Sequence, residues 1–176
     1  HYLWRQLHGD RLTLCGHNAS VVSLAISPDG RWAASGSADG AVCLWDAATW
    51  KRRATFAGHG GPVHAVAFRP GGTVLATGGA DGFVRLWELA TGRLVRSLSR
   101  GSGPVQCLAF EDHGPRLAWG GGAINRMLPR MHDRPGEIYV WNPDAGEEPR
   151  QIAVLSDPVV QLAFLPQRPE LVAVTW

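Results

Sequence analysis

His17, Ser35 and Asp39 are the residue types of a nucleophilic triad, and Trp45 adds an indole N–H beside them. The set returns 42 residues later as His59, Thr77, Asp81 and Trp87. Such a group can do one of two things. A hydroxyl activated by an imidazole that a carboxylate orients performs acyl transfer, which needs one exposed nucleophile in one cleft. Two copies, one of them carrying Thr, fit that requirement badly. The alternative is internal. A half-buried imidazole needs a partner on each ring nitrogen, and a buried indole N–H must find an acceptor. A fully satisfied network of this kind stiffens its surroundings and fixes strand register. The duplication favours the internal role, so no catalytic residue is assigned and the chain is read as a non-enzyme.

The spacing belongs to a larger copy. Residues 16–46 read GHNASVVSLAISPDGRWAASGSADGAVCLWD, and residues 58–88 read GHGGPVHAVAFRPGGTVLATGGADGFVRLWE. Pro28 and Pro70 keep the same offset of 42. An apolar-rich run at 21–26 and short strand-like runs at 32–35, 41–45 and 51–56 follow one another, with Pro-Asp-Gly and Asp-Gly turns between the first three. The second copy repeats them at 63–68, 74–77, 83–87 and 94–98. Runs of this length, with turn signals every 8–12 residues, predict antiparallel strands. A period of about 40–45 residues that opens on Gly-His and closes on Trp plus an acid marks one four-stranded propeller blade.

These motifs resemble the WD-repeat family of β-propellers. The resemblance implies an all-β propeller of four-stranded antiparallel blades, here about three complete blades and two half-blades. Residues 1–15 are the C-terminal half of a preceding blade, 16–57 and 58–99 two full repeats, and 100–155 a degenerate third. Residues 156–176 start a further one. Family rings usually have seven blades, so a larger ring is expected; closure of the two halves into four blades, or of two chains into eight, are the alternatives. The chain opens on His1 without an initiator methionine and is read as a piece of a longer protein. The resemblance also assigns His17, Ser35, Asp39, Trp45, His59, Thr77, Asp81 and Trp87 to a structural hydrogen-bond relay within each blade. It places partner contacts on the face of the Gly-His loops, at Ser20, Val22, Ala38, Pro62, His64, Ala80, Pro104 and Gln106.

The third repeat departs from the pattern. Residues 105–110 keep register, but Gly101 stands in place of His59, Trp119 in place of Thr77, and Ala123 in place of Asp81. Trp119 is expected to fill the vacated space, leaving this blade held by packing alone. Trp141 follows Trp87 by 54 residues instead of 42, and the excess lies in AINRMLPRMHDRPG, residues 123–136. Arg126, Met127, Arg130, Met131 and Arg134 in this insertion are candidate partner contacts, because Arg and Met are enriched at interfaces. Pro129 and Pro135 disfavour a regular helix there. The plain alternative is a tolerated surface loop, since insertions cost little closure entropy. The last strands are expected at 137–141, 152–155 and 159–164.

The bulk properties narrow the function. A net charge of +2 with interspersed signs gives no basic stripe, so no nucleic-acid partner is expected. The three cysteines, Cys15, Cys43 and Cys107, fall in predicted strands without a CxxC pair. They read as buried free thiols, with no disulfide framework and no metal site. No apolar run reaches the roughly 20 residues of a membrane span, and no signal peptide is visible, so a cytoplasmic protein is expected. Gly120, Gly121 and Gly122 lack the Lys and helix of a phosphate loop, and no cofactor is assigned. Lys51, Arg52 and Arg53 read as a solvated turn on the opposite face. The sequence therefore points to a non-catalytic protein–protein interaction scaffold, docking a protein or another domain of its own chain. A sensor propeller fused to an NTPase, kinase or protease is the second reading, and a propeller hydrolase the third.

Overall fold

A computed structural model describes residues 14–99, 103–123, 134–166, 168 and 170–175. It is built of strands. β1 (Val21–Ile26), β2 (Trp32–Ser37), β3 (Ala41–Asp46) and β4 (Arg52–Ala57) form one antiparallel sheet in chain order. A second sheet follows with β5 (Val63–Phe68), β6 (Val74–Gly79), β7 (Phe83–Glu88) and β8 (Leu94–Ser99). The third comprises β9 (Val105–Phe110), β10 (Leu117–Ala123), β11 (Arg134–Trp141) and β12 (Arg150–Leu155). β13 (Val159–Phe164) and β14 (Leu171–Thr175) make a two-stranded fourth.

The sheets stack face to face, each burying its apolar residues against the next. Ala34, Val42, Leu44 and Phe56 of the first meet Val63, Val66, Phe68, Leu75 and Trp87 of the second. Val84 and Leu86 continue the stack with Phe110, Leu117, Trp119 and Trp141, and Ile138 with Leu162 and Phe164. A repeated glycine permits this approach. A Cβ on Gly36 would lie 2.9 Å from Val63 Cγ1, on Gly78 2.5 Å from Val105 Cγ1, and on Gly120 2.8 Å from Val159 Cγ1. Each following valine is 0–2% exposed, so the side chain missing from one blade is the socket for the next. The same approach explains why β2 and β6 run to Ser37 and Gly79, past the 32–35 and 74–77 read from composition.

The stack is open among the described residues. Leu24 and Ile26 on the first sheet are 67% and 54% exposed, and Val172 and Val174 on the last are 45% and 49% exposed. The first and fourth sheets therefore do not meet, and closure into four blades is not what these residues adopt.

Two further expectations are corrected. Cys15 is exposed and outside any strand, whereas Cys43 and Cys107 are buried in β3 and β9. The 123–136 segment is shorter as a loop than its sequence suggests, because β10 runs through Ala123 and β11 begins at Arg134, and these two residues pair. The hairpin ladder carries both ends of the insertion. Arg126, Met127, Arg130 and Met131 lie outside the described residues.

Candidate functional site

In the second blade the polar side chains converge at one edge. β6 carries Thr77, the β6–β7 turn carries Asp81, and β7 carries Trp87, while His59 arrives from the loop before β5. Trp87 donates its indole N–H to Thr77 Oγ1 at 2.9 Å, and His59 Nε2 lies 2.8 Å from the same hydroxyl. His59 Nδ1 lies 3.0 Å from Asp81 Oδ1. One proton assignment satisfies every group: indole N–H to Thr77, Thr77 O–H to Nε2, and Nδ1–H to the carboxylate. Asp81 also accepts the backbone N–H of Gly60 at 3.0 Å and of Phe83 at 3.2 Å.

Arg85 joins this edge. Its Nη1 donates to Asp81 Oδ2 at 2.8 Å and stands 2.7 Å from His59 Nδ1. With the Nδ1 proton directed at Asp81, the guanidinium makes no hydrogen bond to the ring, and the close cation opposes a second proton on it. Burial, followed by Arg85, holds the His59 imidazole below its ordinary value despite Asp81. Burial alone would raise Asp81. The bonds from His59, Gly60, Phe83 and Arg85 outweigh it and bring the carboxyl to about 2. The pair is a neutral imidazole on an ionised carboxylate.

The first blade makes a looser version. Trp45 donates to Ser35 Oγ at 2.9 Å, and His17 Nε2 lies 2.8 Å from that hydroxyl. The His17 Nδ1 to Asp39 Oδ2 separation is 3.4 Å, beyond good hydrogen-bond length. Asp39 is held instead by the N–H groups of Asn18 at 2.7 Å and Ala41 at 2.9 Å. Two substitutions account for the difference. Cys43 takes the place of Arg85, its Sγ 3.9 Å from His17 Nδ1. Ser37 takes the place of Gly79, where a Cβ would stand 2.3 Å from His59 Nδ1 and 2.7 Å from Asp81 Oδ1.

In the third blade Trp119 is 2% exposed and stacks on Tyr139, centroids 5.5 Å apart at 15°. Tyr139 occupies the place of Arg85. Trp141 turns its N–H to the Glu147 carbonyl at 2.7 Å, having no hydroxyl to reach. The filling is apolar, yet packing alone does not describe it: Trp119 Nε1 is buried without a hydrogen-bond partner among the described residues.

The loop face has a feature of its own. Register slips between Val21 and Ser23, Val63 and Ala65, Val159 and Gln161, and opposite Gly120 and Gly121. Each slip leaves one unpaired residue at the same height: Val22, His64, Gln106 and Val160. Such bulges re-aim a side chain and bend the strand. Ala38 N–H donates to the Ser20 carbonyl at 2.9 Å, and Ala80 N–H to that of Pro62 at 2.8 Å. Ser20, Val22 and Ala38 thus sit together exposed, and Pro62, His64 and Ala80 together half-buried, with Pro104 and Gln106 also half-buried. Arg134 lies in β11. Burial holds His64 below its ordinary value. Among the described residues no three His, Cys, Asp or Glu side chains gather so as to hold a metal ion.

The family model for the WD domain, G-beta repeat, matches residues 10–46 and 50–88. These two stretches are WD repeats. Small ribosomal subunit protein RACK1 of Glycine max is 55% identical over 42 residues, and protein Mut11 of Chlamydomonas reinhardtii 56% over 39. These alignments take in 24% and 22% of this chain and only 13% and 10% of the relatives' lengths. The solved structure of U3-55K superposes with a TM-score of 0.76 at 22% identity, covering 92% of this chain and 47% of that one. That likeness shows the fold: this chain spans about half the matched propeller chain.

Within its WD repeats, Arg85 is the residue that sequence reading passed over. Period-2 alternation along β7 puts 83, 85 and 87 on one face, so a charged residue beside Trp87 had to find a carboxylate or be buried bare. The bulges left no comparable trace, since an unpaired residue is invisible until the strand opposite is placed.

Proposed function

We propose that this WD-repeat chain is a non-catalytic scaffold that binds a protein partner through its Gly-His loop face, the two relays acting as internal stiffening. What carries the reading is the row of bulged residues, Val22, His64, Gln106 and Val160. Successive inner strands present them at one height, flanked by exposed Ser20 and Ala38 and half-buried Pro62 and Ala80. A rigid blade edge holds such a row without ordering cost, which is what affinity from a few anchors requires. Burial supports the non-catalytic part. The His59 side chain is 1% exposed and Thr77 0%, and the Thr77 hydroxyl already holds the Trp87 N–H. No substrate carbonyl reaches such a nucleophile.

The test pairs two surface changes with one deletion in the intact protein. His64→Glu with Gln106→Lys should abolish capture of the cellular partner while the melting temperature stays at wild type. Removal of residues 124–133 should weaken the same capture. A partner set unchanged by both would overturn the loop-face reading.

A further inference from the structure

We infer a second protein-binding site on the opposite face, in the cleft between the first two blades and the Trp50 turn beside it. Its ligand is a short acidic peptide segment carrying an apolar anchor. The first observation is Trp50 itself. Its φ is +56°, the one non-glycine residue with positive φ among the described residues, and it is 40% exposed. The corresponding positions of the next two blades are Gly92 at φ +72° and Gly146 at +69°. Trp50 N–H bonds the Asp46 carbonyl as Gly92 N–H bonds that of Glu88, so the turns share one form. A bulky residue in the left-handed region is disfavoured and persists where something else requires it. Among the described residues Trp50 lies outside the buried apolar clusters.

The second observation is the cleft, about 470 Å³, in the range of small-ligand pockets. Arg31, Trp32 and Arg53 line one wall, and Val74, Leu89 and Val95 the other, with Glu88, which accepts from Thr91, at its edge. Ala47 N–H bonds the Arg31 carbonyl, which ties the Trp50 turn to this wall. No salt bridge among the described residues holds Arg31 or Arg53. In the matching cleft between the third and fourth blades, Arg116 is bound to Glu111 and lies over the Phe164 ring. The nearby acids are hydrogen-bonded within their own turns, Asp29 by Ser27 and the Arg31 N–H, Asp46 by Ala48 and Thr49, Glu88 by Thr91, while the Arg31 charge also acts on Asp29 and Asp46 from outside a salt bridge. The Arg31 and Arg53 guanidiniums, neither in a salt bridge among the described residues, take carboxylates in bidentate fashion, and the Leu89–Val95 wall takes an aliphatic or aromatic side chain next to the Trp50 turn. A nucleic acid would need a longer unbroken row of cations than this edge offers.

The probe is a fluorescein-labelled peptide, Glu-Glu-Leu-Phe-Asp-Glu, titrated into the intact protein by anisotropy, with a Lys-for-Glu version and a uridine homopolymer as controls. Saturable binding of the acidic peptide is expected. It should fall at least tenfold both in Arg31→Glu with Arg53→Glu and in Trp50→Gly, while Trp50→Gly holds or raises the melting temperature. Three results would overturn the inference: no saturation up to about 1 mM peptide, at the weak end of specific affinities; equal affinity in all variants; or preference for the homopolymer. A lowered melting temperature in Trp50→Gly with unchanged peptide affinity would make Trp50 a folding residue and equally end the proposal.

Discussion

The second and third blades fill one and the same edge with opposite chemistry. In the second, His59, Thr77, Asp81, Arg85 and Trp87 form a polar network in which each buried donor finds an acceptor. In the third, Trp119 on Tyr139 fills the space with stacked aromatic area and leaves one indole N–H bare. A network wins rigidity and register at the cost of depending on protonation state. A stack wins area that pH does not touch, but an orphaned buried donor costs about 1–3 kcal/mol. A blade therefore needs its edge filled; hydrogen bonding is one way to do it, and losing the polar members together lets an apolar filling replace them.

The comparison breaks most visibly where the filling is removed. Trp119→Ala should destabilise the third blade by about 3–5 kcal/mol, the cost of emptying a large buried aromatic site. Hydrogen exchange along β10 and β11 should report the loss equally at pH 7 and pH 4.5. A strongly pH-dependent loss would place a titrating partner in that stack.

Asp81→Asn comes next, at about 2–3 kcal/mol at pH 7, because it strips a charged acceptor from His59, Gly60, Phe83 and Arg85. The wild type should approach the same state in acid. The Asp81 carboxyl is brought to about 2 against an unfolded 3.8, so its contribution is complete above pH 4 and is lost as pH falls towards 2. With the side chain 13% exposed, that shift corresponds to about 2 kcal/mol. His59 acts earlier and in the same direction. Its folded value lies below 6.5, so acidification below that point favours the unfolded chain, which takes up the proton first. Exchange along β6 and β7 should rise in these two steps in wild type, and Asp81→Asn should lack the lower one.

Much of this edge was legible in the sequence. The inner strands 21–26, 63–68, 105–110 and 159–164 coincide with β1, β5, β9 and β13, because their apolar runs are bounded by Gly and Pro turns on both sides. Which side chains share an edge came from the resemblance to the WD-repeat family, the 42-residue offset carrying it from one copy to the next, and the filling role of Trp119 from its standing in the place of Thr77. What escaped was whatever differs between copies. Arg85 faces Cys43 across the repeat, so alignment gave it no weight, and Gly79 against Ser37 looked like a neutral exchange of small residues. The bare N–H of Trp119 was equally hidden, since an acceptor's absence depends on the path of neighbouring backbone. Trp50 did leave a signal: it aligns with Gly92 and Gly146, and a tryptophan at a glycine turn position asks for a reason.

Gly79→Ala sharpens the comparison between the two relays. A methyl there must push His59 away from Asp81, towards the 3.4 Å separation of the first blade. The expected cost is about 1–2 kcal/mol, a charged hydrogen bond weakened but not lost. The acid transition of β6 should move to higher pH as Asp81 loses its imidazole partner. Ser37→Gly in the first blade is the converse and should shift its own transition down. If the alanine leaves the acid transition in place, the closeness of His59 and Asp81 is not what sets it.

The finest contrast makes one chemical change in both blades. Replacing tryptophan with phenylalanine removes an N–H and trims the ring. At Trp87 the N–H is bonded to Thr77, so Trp87→Phe loses that bond together with area. At Trp119 the N–H has no partner among the described residues, so Trp119→Phe loses area but also relieves a desolvated donor. The second variant should stay within about 1 kcal/mol of wild type, and the first should cost about 1–2 kcal/mol more than the second. Denaturant midpoints of the two variants, read through exchange at β7 and β10, measure that difference. Equal costs would mean that Trp119 does find an acceptor in solution, and the third blade would then be a relay rebuilt with new members instead of a stack.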